Sequence, residues 1–96
     1  MRYEWDERKR EANLRKHGLD FVRARLVFEA ASKVTVEATR AEDREPRLVD
    51  FAEVDGVVLM LVYAIRVGVV RCISLRTASK RERREFYEIS HRSKDQ

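Results

Sequence analysis

Ninety-six residues, 40% of them charged and 44% hydrophobic, with a formal net charge of +4, describe one small basic domain, residues 1–96, with a thin core and an acidic partner to find. The longest apolar run, Val57 to Ile65, is less than half of the roughly 20 residues a membrane-spanning helix needs, so no membrane partner is expected. Cys72 is the single cysteine and His17 and His91 are the two histidines, which excludes an internal disulfide and a Cys/His metal site; no cofactor is expected.

The N-terminal MRYEWDERKR lacks an apolar signal stretch and is too acidic for a transit peptide, which predicts a cytoplasmic protein. Arg2 to Trp5 suit a short edge strand. Asp6 then suits the N-cap of a helix running to about His17, with Gly18 as its left-handed stop. That helix is polar, with a weak apolar stripe at Ala12 and Leu14, and is expected to lie shallowly with Trp5 anchoring its entrance. Asp20 caps a second predicted helix whose Phe21, Ala24, Phe28 and Ala31 recur every three or four residues and form a strong apolar face.

From Lys33 onward β-branched residues dominate, in KVTVE, LVDFAEV, VVLMLVYAI and VVRCISL, with Asp55-Gly56 and Arg66-Val67-Gly68 as reversals. The expectation is an α+β domain: an antiparallel β-meander of three to four strands, two N-terminal helices and a C-terminal helix. The run at 57–65, apolar at both parities, is placed at the centre of the sheet. Strict alternation in the next strand sends Val69, Arg71, Ile73 and Leu75 to one face and Val70, Cys72, Ser74 and Arg76 to the other, so Arg71 and Arg76 are expected to point opposite ways. Ser79 and Glu82 match a capping box that opens the last helix, with Phe86 and Ile89 on its apolar side and SHRSKDQ fraying at its end.

Six basic side chains, Arg71, Arg76, Lys80, Arg81, Arg83 and Arg84, crowd the strand-to-helix handover RCISLRTASKRERREFY. Arg presents a planar fork suited to oxyanions, and the first-turn N–H groups of a helix attract anions. Arg76 ends a strand where a surface charge has no structural duty, and Arg81 sits in a first turn that disfavours a cation, so both invite a functional reading. For Arg83 and Arg84 a solvated helix face, with Glu82 and Glu85 as partial counter-ions, competes with phosphate contact. His17 has the chemistry of an acid or base near neutral pH, and equally the placement of a dipole partner at a helix C-terminus, with Asn13 one turn earlier to bond it. Tyr87 either stacks a base or donates a proton, or is a core aromatic. Trp5 and Phe21 read as core, Ser79 as a cap, and Cys72 as a small buried hydrophobe. Lys9 and Lys16 flank the polar helix as solvated cations, with RNA tracking as the lesser alternative.

The ordered fragments YEWDERKREANLRKHGLDFVRARLVFE, VLMLVYAIR and RCISLRTASKRERREFYE resemble the BrnT family of type II toxin components. In that family a WD, a KHG with Phe three residues after the Gly, and an IS-x-R-x-AS-x-x-ER block recur in this order. The resemblance spans about residues 3 to 88. It implies a RelE-like fold, a ribonuclease that arrests translation, and a hetero-oligomer with a BrnA-like ribbon-helix-helix antitoxin through which alone operator DNA would be reached. The expected reaction is metal-independent RNA cleavage with Arg76 and Arg81 as charge stabilisers, His17 and Tyr87 as acid and base, and Lys80, Arg83, Arg84 and Arg71 on the substrate. The alternatives are a non-catalytic nucleic-acid-binding subunit and a protein-interaction module.

Overall fold

The computed structural model describes residues 1–94. Asp6 caps the first helix, α1 (Glu7–His17), by accepting from the backbone N–H groups of Arg8 and Lys9, and Gly18 closes it at φ 70°. Asp20 accepts from Val22 N–H to open a single 3-10 turn, Phe21–Arg23, which runs into a short helix, α2 (Ala24–Phe28). The expected long second helix therefore stops after Phe28. Turns at 29–32 then bring Lys33 to the sheet, and Ala31, placed on the apolar face by periodicity, is exposed. Val27 takes that place in the core.

The strands are β1 (Arg2–Glu4), β2 (Val34–Glu37), β3 (Arg47–Val54), β4 (Val57–Arg66) and β5 (Val69–Thr77), in the order β1-β5-β4-β3-β2. Strands β2 to β5 form the expected antiparallel meander with β4 inside it. The sheet is nonetheless mixed and five-stranded, because β1 joins parallel to β5, Arg2 opposite Val69 and Glu4 opposite Arg71. One face carries the main core, in which Leu61, Tyr63, Val70, Cys72 and Leu75 pack against Phe21, Ala24 and Val27. Phe28 stands edge-on to Tyr63, ring centroids 5.3 Å apart, and Trp5 packs against Phe21. The last helix, α3 (Lys80–Lys94), lies on the opposite face with Phe86 buried, beside Val34, Val36 and Phe51. Residues 90–94, expected to fray, are helical; Asp95 and Gln96 lie outside the described residues. Among the described residues no helix is long and apolar enough to cross a membrane.

Among the described residues two polar or charged residues, Asp50 and Asn13, are buried. Asp50, on the core face, accepts from Lys33 Nζ at 2.8 Å, Thr35 Oγ1 at 2.6 Å and Tyr63 OH at 2.9 Å, so its charge is paired and its oxygens are satisfied. Asn13 is the other, and it corrects the picture of α1. Ala12 and Leu14, the expected apolar stripe, are exposed, and Asn13 is the buried residue of that helix. Its Nδ2 donates to Leu75 O at 2.7 Å and to Leu19 O at 2.9 Å, while its Oδ1 accepts from Leu75 N–H at 3.1 Å. The carboxamide thus pairs with β5 as another strand would, beyond the point where β1 ends. It is committed to backbone and does not serve His17.

Asn13→Ala is expected to lower stability by about 3 kcal/mol, because each buried polar group left unpaired costs on the order of 1–3 kcal/mol. Asn13→Asp keeps the shape and the acceptor but loses the donor, and should fare no better. Urea denaturation of both variants checks this.

Candidate functional site

The handover from β5 to α3 is built by local chemistry. Ser79 Oγ accepts from Glu82 N–H at 3.1 Å, and the Glu82 carboxylate accepts in return from Ser79 N–H at 2.8 Å, completing the capping box. The same carboxylate reaches the strand. Arg76 donates from Nη1 to Glu82 Oε1 at 2.8 Å and from Nη2 to Oε2 at 2.9 Å, a two-pronged pair, and Nη1 also donates to Thr77 O at 3.1 Å. Arg has five N–H groups, so Nε–H and one Nη2–H remain for a further oxyanion. The Arg76 side chain is 29% exposed, and the two-pronged pair holds its guanidinium in one orientation. Its bond to Arg76 is the chief reason that the Glu82 carboxyl titrates down at about 2, far below its ordinary value of 4.5. Glu82 therefore orients Arg76 and is a poor base.

The neighbouring cations are placed by an irregularity in β5. Ser74 pairs with Val62 and Cys72 with Tyr63, which leaves Ile73 as an extra residue in the strand, a β-bulge. The inward set is consequently Val70, Cys72 and Leu75. Arg71, opposite Ala64, and Arg76, opposite Met60, then share the face on which α3 lies, against the expectation that they diverge. Arg71 Nη1 is 3.3 Å from Glu4 Oε1.

The other candidate residues are dispersed. Arg81 is 87% exposed and pairs along α3 with Glu85 at 3.2 Å, a partner that answers its place in the first turn; it does not join Arg76. Lys80, Arg83 and Arg84 are exposed on α3. Tyr87 OH donates to Glu53 Oε1 at 2.8 Å, and this bond raises its pKa. Five residues along a helix turn it roughly 140° from Glu82, so it leaves α3 on another side. With Arg84, Glu88, His91 and Arg92 it lines a shallow recess of about 540 Å³. His17 ends α1, half-buried, beside Lys9, Ala12, Asn13 and Lys16 of that helix and Ile73 and Ser74 of β5. The structure therefore gathers Arg71 and Arg76 on one face, sets His17 beside Ser74 of the same strand, and leaves Arg81, Tyr87, Lys80, Arg83 and Arg84 on α3.

Sequence reasoning read Glu82 as a cap and a partial counter-ion to Arg83 and Arg84 but not as the partner of Arg76, and gave Ser74 a strand face but no role. The six-residue step from Arg76 to Glu82 across a Ser cap was the available signal for the first; the bulge that places the second carries no glycine to announce it.

A family model described as the ribonuclease toxin, BrnT, of type II toxin–antitoxin systems matches residues 5–82. The match takes in His17, Arg71, Arg76 and Glu82 and ends before Arg83, Arg84 and Tyr87. No curated protein matches the chain.

Because the folded-state pKa of Glu82 is depressed, its contribution to stability is complete above about 4.5 and is lost as pH falls toward about 2. In Arg76→Met this acid-range loss should largely vanish, with the Glu82 carboxyl titrating nearer its ordinary value. Carboxyl ¹³C shifts and urea midpoints across that range measure it.

Proposed function

We infer that this chain, which belongs to the BrnT family of ribonuclease toxins of type II toxin–antitoxin systems, cleaves RNA by metal-independent transesterification at the junction of β5 and α3. Family membership makes it the toxin of a two-component pair, with an antitoxin as its partner. On this proposal it is a cytoplasmic, RelE-like endoribonuclease that arrests translation and is silenced by a BrnA-like ribbon-helix-helix antitoxin through which alone operator DNA is reached.

The observation that carries the reading is the Arg76 guanidinium, clamped by Glu82 with Nε–H and one Nη2–H left over. In transesterification the 2′-oxygen of a ribose attacks the adjacent phosphorus as its proton passes to a base. The 5′-oxygen of the next nucleotide then leaves with a proton from an acid. The phosphorane between them carries extra negative charge, and a cation fixed in advance binds it more strongly than the resting diester. Arg76 supplies that cation, already oriented, and Arg71 on the same face adds to the field. His17, beside Ser74, is the first candidate for moving the proton; Tyr87, tied to Glu53, is the second. Arg81, Lys80, Arg83 and Arg84 would track the backbone from the exposed side of α3.

The second reading, a non-catalytic interaction module, is favoured by the same ion pair, since an Arg already neutralised by Glu82 holds a scissile phosphate less strongly than a free one.

Purified protein incubated with RNA in excess EDTA should yield 2′,3′-cyclic phosphate and 5′-hydroxyl ends. Arg76→Ala should lower the rate by about 10²–10³, the scale set by removing one oriented charge stabiliser. Intact RNA beside folded wild-type protein overturns the enzymatic reading and leaves the interaction module.

A further inference from the structure

Lys9, Ala12, Asn13 and Lys16 recur on α1 at helical spacing and share one side of it. With His17 at the helix end, and Ile73 and Ser74 of β5, they enclose a recess of about 280 Å³. Among the described residues no carboxylate lines it. Acids do line three other recesses of the described residues: Glu42, Asp43 and Glu45 at the 42–47 loop, and Glu82, Glu85 or Glu88 beside α3. In a chain with 17 acidic against 21 basic residues, two lysines around a hollow with no acid in its described lining make a local positive field that exceeds the average. Lys9 and Lys16 have no ion-pair partner among the described residues, whereas Arg10 of the same helix is held by both Glu7 and Asp20.

The hollow also has a position. Ile73, the bulged residue, borders both this recess and the one that faces Ala64 and Arg47 on the α3 side of the sheet. Ser74 lies two residues from Arg76, roughly 7 Å along a strand, on the same face. A ligand seated here is thus continuous with whatever Arg76 holds. Ammonium groups bind phosphate as point charges tolerant of orientation, while Ala12 and Ile73 offer apolar surface to a sugar or base and Ser74 a hydroxyl. Charge with apolar contact, and an Asn13 amide already committed to backbone and so unable to read a base edge, fits a polynucleotide backbone better than a defined small anion.

We propose that the Lys9–Lys16–Ser74 recess is a second phosphate subsite, which takes the backbone of single-stranded RNA next to the linkage held at Arg76. It rests on the reading that RNA is the ligand, and it adds the side of the strand from which the chain enters. Lys9 and Lys16 grip phosphate irrespective of sequence, and the site sets register along the RNA.

The test uses a 2′-O-methyl RNA oligonucleotide, which binds but cannot be cleaved. Its affinity is measured over a range of salt for wild type, for Lys9→Ala/Lys16→Ala, and for Arg8→Ala/Arg15→Ala, which removes the same charge from exposed positions of α1 outside the recess. Alanine favours helix at all four positions, so folding is preserved. The Lys pair should flatten the dependence of log affinity on log salt by about 1.4, at roughly 0.7 per phosphate contact on a single strand, for every sequence tried. The Arg pair should leave the slope at the wild-type value. Equal effects from both pairs, or none from the Lys pair, overturn the subsite, while cleavage of unmodified RNA by wild type would still uphold the nuclease reading. A loss confined to the Lys pair beside intact unmodified RNA upholds the subsite and removes the nuclease. Wild type that binds no RNA removes both.

Discussion

The pairing of Asn13 with Leu75 is the constraint on which the rest of this small structure hangs. Strand β1 covers β5 only from Val69 to Arg71, and the remaining edge would face water with its ladder groups unpaired. A single carboxamide, offering a donor and an acceptor side by side as a peptide group does, closes that edge at Leu75 and ties down Leu19 O at the same time. Three things follow. The polar helix α1 is docked without an apolar face, the loop after it is turned into the core at Leu19 and Phe21, and His17, Lys9 and Lys16 are carried to the rim of β5.

A second constraint acts two residues away. The bulge at Ile73 reverses the parity of β5 between Cys72 and Leu75, so that both keep their place in the core while Arg71 and Arg76 come to the same side. Without it, strict alternation from Cys72 would turn Leu75 out of the core and Arg76 into it. Glu82 then does two jobs with one carboxylate, closing the first turn of α3 and fixing the Arg76 fork. The site owes its geometry to short-range devices set in series along nine residues of chain, Ile73 to Arg81, plus the cap partner at 82.

What was legible in the sequence was what neighbours in the chain decide. Asp6 and Gly18 bound α1 as expected, Ser79 and Glu82 open α3, the Asp55-Gly56 hairpin joins β3 to β4, and β4 sits inside the meander, because caps, tight turns and apolar runs are written within a few residues of where they act. What escaped depends on residues distant in sequence. Nothing local says that Arg2–Glu4 pairs parallel with β5, 67 residues on. Nothing near Asn13 names Leu75, and an amide in a polar helix looks solvated until its partner is known. Asp50 is similar: in LVDFAEV it looks like a charge on the wet side of a strand, and only Lys33, Thr35 and Tyr63 make its burial affordable. At the candidate site, Arg76 was singled out for lack of a structural duty, and the structure gives it a partner; Arg81 was singled out for an awkward place in a helix, which Glu85 answers.

The parallel contact between the first strand and the last has a temporal meaning. During synthesis β1 and α1 leave the ribosome early, yet the edge they belong to does not exist until β5 has emerged, more than two thirds of the way along the chain. The late closure of this loop is a slow, entropy-limited step. A nascent chain therefore carries Lys9, Lys16 and His17 with nothing opposite them, and the basic hollow comes into being only once β5 has been made.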